Sequence, residues 1–194
     1  AHRSKTLALR VRKDNPATGV RGPDAGITKS KVYLYPSEVV RLLSCDRVPL
    51  NFRRAVAVAV YLYIRAAEQR ALNWQSLDLE HAAAHIHESR DRKGTTKTTK
   101  GKRGRRVPIE TSLLPLLQAI KKEGCPHVSR LTNITHQSRD LRRWLAVAGV
   151  DRAELHTSSK DATRKPMTWH DLRATGVTWC AIRGDDPLRI MQRA

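Results

Sequence analysis

The segment from Phe52 to Arg65, FRRAVAVAVYLYIR, constrains the fold of this chain more than any other stretch. From Ala55 to Ile64 every residue is apolar, so a helix here has no polar face to turn toward water. Such a helix must be surrounded. The pattern predicts it at the centre of a domain, from about Phe52 to Arg65, with Asn51 as its N-cap. The material available to surround it is aliphatic. The 194 residues include one Phe, four Trp and four Tyr, while 40% of the chain is apolar, so Leu, Val, Ile and Ala fill most of the core. That length suits one domain of ordinary size with a short appendage.

The flanking sequence supplies candidates for the shell. Pro36-Ser37-Glu38 opens a helix, with Ser37 as a candidate N-cap and Val39, Val40, Leu42 and Leu43 as the apolar side. A further helical turn or two spans Ala66 to Asn73. Leu77, Leu79 and Ile86, and later Val107-Pro108-Ile109, read as short strands. Between them, Arg90 to Arg106 holds nine Lys/Arg against one Asp, with Gly94, Gly101 and Gly104. This pattern predicts a long β-hairpin with a basic tip. Helices are expected again over Ser112 to Lys122 with Thr111 as cap, over Thr135 to Ala148 ended by Gly149, and from a Thr168 cap to Gly184. A last one starts at Asp185 or Asp186 with Pro187 in its first turn. Arg152 to Pro166 is polar and reads as a loop.

The fold class expected is therefore α+β, mainly α, with helices packed around a small antiparallel sheet that carries a long basic hairpin. Residues 1–31 are of another character. Asn15-Pro16, Gly19, Gly22, Pro23 and Gly26 read as the end of an upstream domain plus a linker, which leaves 32–194 as the main domain.

Charge narrows the partners. Thirty-seven Lys+Arg against eighteen Asp+Glu give a net charge of +19 and a pI near 10.8. Such a surplus works against compactness and favours a polyanion, and nucleic acid is the leading one. No stretch combines a strong apolar face with a Lys/Arg face, and no apolar run is long enough to span a bilayer, so no membrane partner is expected. Cys45, Cys125 and Cys180 are far apart, without metal-ligand spacing or a disulfide framework. The expected compartment is a reducing cytoplasm, in association with the nucleoid.

Three signals carry chemistry. The last of them, His170-Asp171-Leu172-Arg173, places an imidazole and a guanidinium three residues apart on one helix face, a suitable grip for a phosphate in so basic a chain. The first is Tyr63-Ile64-Arg65-Ala66-Ala67-Glu68, followed by Leu72-Asn73-Trp74. The second is the hairpin ending Lys100-Gly101-Lys102-Arg103-Gly104-Arg105-Arg106-Val107-Pro108-Ile109. Taken singly, each has an ordinary explanation: an Arg emerging from the core into water, a solvated charge run, a helix-cap or core histidine.

Taken together and in this order, over residues 32–194, they resemble the catalytic domain of the tyrosine recombinase (phage integrase) family. There an Arg follows an apolar helix and precedes a Glu by three, as Arg65 and Glu68 do. A Trp and an Asp lead into a sheet, as Trp74 and Asp78 do. A Lys lies on the hairpin before a segment like Arg106-Val107-Pro108-Ile109, and a His-x-x-Arg follows, like His170 and Arg173. Two departures stand out. The Gly that often precedes the first Arg is replaced by Leu62-Tyr63-Ile64, and Gln69 stands where the family prefers an apolar residue.

The resemblance implies site-specific DNA recombination or integration by transesterification. A tyrosine hydroxyl attacks a DNA phosphodiester and leaves a 3′-phosphotyrosyl link and a free 5′-hydroxyl. Arg65 and Arg173 would clamp the non-bridging oxygens, where their planar, permanently charged forks suit the task. A hairpin Lys would protonate the departing 5′-oxygen as a general acid. His170 would position the phosphate or handle the nucleophile's proton, and Glu68 would support Arg65 or a backbone group. The family register favours Lys100 as that acid, with Lys97 and Lys102 as alternatives. Lys97, Lys102, Arg103, Arg105 and Arg106 would bind DNA phosphates by counterion release. No metal and no cofactor are implied.

The resemblance further implies double-stranded DNA as partner and a homo-tetramer on paired sites. It places a second histidine and then the nucleophilic tyrosine beyond Ala194. Tyr33, Tyr35, Tyr61 and Tyr63 all precede Arg65, so no nucleophile is expected in this chain, which would bind DNA without cleaving it. A type IB topoisomerase and a DNA-binding regulator that kept the fold without the chemistry are the alternatives.

Overall fold

The computed structural model describes residues 19–20, 32–98, 104–129, 135–156 and 165–193. Most of the expected linker region, 1–31, therefore lies outside the described residues, as do Lys100, Lys102 and Arg103. The first helix, α1 (Pro36–Ser44), starts one residue before Ser37. Pro36 at its first position needs no N–H partner, and the Tyr35 N–H instead donates to Glu38 Oε2 at 2.8 Å. Val39 and Leu42 face inward while Val40 is exposed.

The central helix, α2 (Leu50–Tyr61), follows Pro49 and not Asn51, and it stops four residues short of Arg65. Its interior is buried without a break from Ala55 to Val60. The reason is that it divides two apolar clusters. Ala55, Val56, Ala59 and Val60 pack with Leu34, Leu42, Leu141, Leu145, Met167 and Leu172. Ala57 and Val58 pack on the other side with Leu62, Leu77, Ile86, Val107 and Leu117. Each fully buried valine contributes roughly 1.5–3 kcal/mol, which outweighs the modest helix propensity of a Val-rich run.

After α2 come α3 (Ala66–Ala71) and a 3-10 turn at Trp74–Ser76, followed by β1 (Leu77–Asp78) and β2 (Ala83–Ile86). The expected long hairpin is built in two pieces. Its distal part pairs β3 (Glu88–Arg90) with β4 (Thr96–Thr98), closed by Asp91, whose Oδ1 accepts from the N–H groups of Lys93 and Thr95. Its proximal part pairs β2 with β5 (Arg105–Pro108), giving an antiparallel sheet of order β1-β2-β5. Six residues separate β4 from β5, against one between β2 and β3, so the two ladders are out of register with each other. The distal ladder lies on α3, where Arg70 Nε donates to Arg90 O at 2.9 Å.

The remaining helices are α4 (Leu114–Lys122), α5 (Gln137–Val147), α6 (Ala153–His156), α7 (His170–Ile182) and α8 (Pro187–Arg193). Leu113, not Thr111, precedes α4. The segment expected as a polar loop contains α6, because Leu155 is buried in the core and Arg152 grips Glu38 through two bonds of 3.0 Å. Gly149 and Gly184 end α5 and α7 at positive φ, as their positions predict. Asp186 Oδ1 accepts the N–H groups of Leu188 and Arg189 at the start of α8. The chain has an α+β architecture, mainly α, with helices around a small antiparallel sheet. No helix among the described residues is long and apolar enough to cross a membrane.

Candidate active site

The site grows from the sharp exit of α2. Tyr63 takes a left-handed backbone conformation, φ 54°, which a glycine adopts without strain and a tyrosine does not. It occupies the stretch where the sequence departs from the usual glycine. Its surroundings offset the strain. The Tyr63 hydroxyl donates to Glu110 Oε1, the Arg193 guanidinium lies 5.6 Å over the ring, and the ring packs against Gly176. Burial pushes the hydroxyl pKa far above the ordinary tyrosine value. The turn leaves Arg65 in extended backbone just before α3, so Arg65 opens α3 and does not close α2.

Glu68, at the third position of α3, is the hub. Its carboxylate is 2% exposed. Oε2 accepts the Arg65 N–H at 2.8 Å, the acidic half of a capping box, while Oε1 accepts Arg65 Nη1 at 2.9 Å. Arg105 adds a fork, with Nη1 to Oε1 at 3.1 Å and Nη2 to Oε2 at 2.8 Å. Arg173 Nη1 stands 3.7 Å from Oε2. Burial by itself would raise the Glu68 pKa. The Arg105 fork and then the Arg65 bonds outweigh it and hold the pKa at about 2.

Arg173 and His170 share the opening turn of α7. Asp171 shapes that turn from the inside: its Oδ2 accepts both the N–H and the hydroxyl of Thr168 at 2.7 Å. Thr168 thus serves the helix start through Asp171, although Trp169 is the residue that immediately precedes α7. Arg173 is buried, and burial, with the neighbouring Arg65 charge, lowers its pKa to about 10. It remains cationic at neutral pH. His170 is exposed on one side, yet partial burial and then the Arg173 charge lower its pKa below the ordinary histidine value. The shift favours the neutral imidazole, which can accept or donate a proton.

Gln69, the second departure noted in the sequence, is 1% exposed and fully employed. Its Nε2 donates to Ala55 O at 2.8 Å and Ser129 Oγ at 2.9 Å, and its Oε1 accepts Trp169 Nε1 at 3.0 Å. A buried amide so paired costs little. It joins α2, the Arg65–Glu68 turn and the residue before His170, which an apolar side chain would join by packing alone. Trp74 Nε1 donates to Cys125 O at 2.7 Å and Asp78 accepts from His81, so both serve the frame.

The structure thus brings Arg65, Glu68, Arg105 and Arg173 into one cluster, with His170 close enough to feel the Arg65 and Arg173 charges. Three guanidiniums share one carboxylate, and these four groups carry a surplus of two positive charges. An anion with several oxygens satisfies such a cluster. Lys97 and Arg106 are elsewhere, exposed on β4 and β5. Arg105, read from the sequence with the phosphate-binding residues of the hairpin, turns inward onto Glu68. The missed signal was strand alternation: Arg105 lies two residues from the buried Val107 and so faces the same side.

No protein-family model and no curated protein matches the chain. Solved structures do. The Tn1549 transposon integrase in complex with circular intermediate DNA superposes with a TM-score of 0.63 at 19% identity, over 86% of this chain and 59% of that one. The XerA recombinase gives 0.61 at 20% identity, over 96% and 60%. The lambda integrase catalytic core gives 0.57 at 16% identity, over 83% and 90%. The chain spans about three fifths of the Tn1549 integrase and XerA structures and most of the lambda catalytic core. It has the fold of the tyrosine recombinase and integrase catalytic domains.

Proposed function

We propose that this chain is the catalytic domain of a site-specific DNA recombinase or integrase, with a single DNA phosphodiester as the anion of the arginine cluster. The observation that carries the reading is the convergence of Arg65, Arg105 and Arg173 on the buried Glu68, with His170 on the same turn of α7 as Arg173. The similarity to the fold of the Tn1549 integrase, whose structure is a DNA complex, supports it.

In this reading a tyrosine hydroxyl attacks the phosphorus and the P–O5′ bond breaks. Arg65 and Arg173 hold the non-bridging oxygens, where charge gathers in the transition state. His170 positions the phosphate or takes the tyrosine proton. A hairpin lysine, Lys100 in preference to Lys97 or Lys102, returns a proton to the 5′-oxygen. The partner is double-stranded DNA, gripped along the exposed cations Lys97 and Arg106 and by Lys102 and Arg103, with assembly as a tetramer on paired sites. Residues 1–31 belong to an upstream domain and its linker.

Two experiments test this. On a suicide duplex nicked beside the cleavage point, the full-length protein is expected to form a covalent adduct. Arg173→Ala is expected to abolish the adduct while retaining most DNA binding. Binding without any adduct in the full-length wild-type protein would leave the regulator reading in its place. For the chain itself, log Kd should vary steeply with log salt. Neutralising Lys97, Lys100, Lys102, Arg103 and Arg106 should flatten the slope by about one unit for each DNA phosphate that is no longer neutralised. An unchanged slope would remove the hairpin from the DNA interface.

A further inference from the structure

We propose that Arg105 is a positioning residue, acting through Glu68 to set where the Arg173 guanidinium sits. The proposal rests on the reading of the cluster as a phosphodiester pocket. A carboxylate offers about four acceptor directions. All four on Glu68 are taken, two by the Arg65 N–H and Nη1 and two by the Arg105 fork. Arg173 Nη1 is held at 3.7 Å, inside ion-pair range and outside hydrogen-bond range.

Removing the Arg105 fork opens two buried acceptor directions beside a guanidinium of opposite charge. In a site of low dielectric that attraction is strong. Arg173 then closes onto Glu68, and its charge is spent there instead of on a bound anion. Arg105 itself is poorly placed to meet DNA, since its side chain is 18% exposed and its fork is committed. Its neighbour Arg106 points outward from the same strand. One strand therefore gives one arginine to solvent and one to the hub, and the seating of β5 is tied to the geometry of the pocket.

Sulfate is the probe, with binding followed by calorimetry on the whole chain and Arg173→Ala as the control for binding in the pocket. Arg105→Gln is expected to weaken sulfate binding about tenfold. Arg105→Lys, which keeps the charge but not the fork, is expected to lose nearly as much. It also keeps a partner for Glu68, and so carries the test if glutamine at this position unfolds the chain. In a Glu68→Gln background, where position 68 no longer offers a carboxylate to capture Arg173, Arg105→Gln is expected to change affinity by less than about twofold. The Arg173 Nε–Hε resonance is expected to shift in both single Arg105 variants and to hold in the Glu68→Gln/Arg105→Gln pair.

Two results would overturn the role of Arg105: wild-type affinity in Arg105→Lys, or an undiminished loss in the Glu68→Gln background, which marks direct contact with the anion. Sulfate binding that is absent in the wild type, or indifferent to Arg173→Ala, instead defeats the pocket reading on which the proposal rests.

Discussion

Replacing Glu68 by alanine is expected to destabilise the chain by about 3–5 kcal/mol and to lower Tm by roughly 10 °C. The carboxylate is buried and is shared by Arg65, Arg105 and Arg173. Its loss strips the Arg105 fork of its partner and leaves the buried Arg173 facing two other cations. Removing one member of a buried charge cluster costs far more than the cluster contributes net, because uncompensated charge remains. Glu68→Gln keeps the volume and one acceptor oxygen and should cost clearly less. Urea unfolding checks both, and a loss below about 1 kcal/mol in the alanine variant would mean that water already serves these arginines.

The same carboxylate sets an acid limb of stability. Its folded pKa, about 2, lies below the ordinary 4.5, so the folded state holds fewer protons than the unfolded one between those values. Its contribution is complete above about pH 4.5, shrinks as pH falls, and is gone below about pH 2. Glu68→Gln should flatten this limb.

Gly176→Ala is expected to cost about 3 kcal/mol or more, against a helix-propensity gain of about 1 kcal/mol. A Cβ at this position would lie 2.1 Å from Val60 O and 2.7 Å from Tyr63 Cδ1. Neither neighbour yields easily, since one is backbone at the end of α2 and the other is the ring of a residue already held at positive φ. To admit a methyl group, α7 must back away from α2. That motion separates His170 and Arg173 from Arg65, so sulfate binding at the arginine cluster should fall together with stability. A variant that is more stable by about 1 kcal/mol would show that propensity alone governs the site and that the close approach is not required.

Much of the fold was legible in the residues. The run from Ala55 to Ile64 had to be central, and it is the wall between two cores. The strand residues Leu77, Ile86 and Val107 are in the sheet, and Gly149, Gly184 and Asp186 mark helix ends where they were expected. Caps were less legible. Ser37, Asn51 and Thr111 are good N-cap residues by type, yet α1 starts at Pro36, where Glu38 accepts the Tyr35 N–H, α2 follows Pro49 and α4 follows Leu113. At the site, His170 and Arg173 share the first turn of α7, and Glu68 bonds the Arg65 side chain and its N–H, the support that the family resemblance implied.

The sequence by itself determined which residues could serve. It supplied a buried helix followed by an Arg and a Glu, a basic hairpin, and a His-x-x-Arg face in a chain of net charge +19. Helix and strand periods are local properties, and charge is additive, so both can be read along the chain. Only the tertiary structure decided how those charges are shared. The Arg105 fork on Glu68, the Gln69 bridge to Trp169 and the seat of Tyr63 on Gly176 join residues 37, 100 and 113 positions apart. Such pairings depend on distances across the packed core, which no local pattern records.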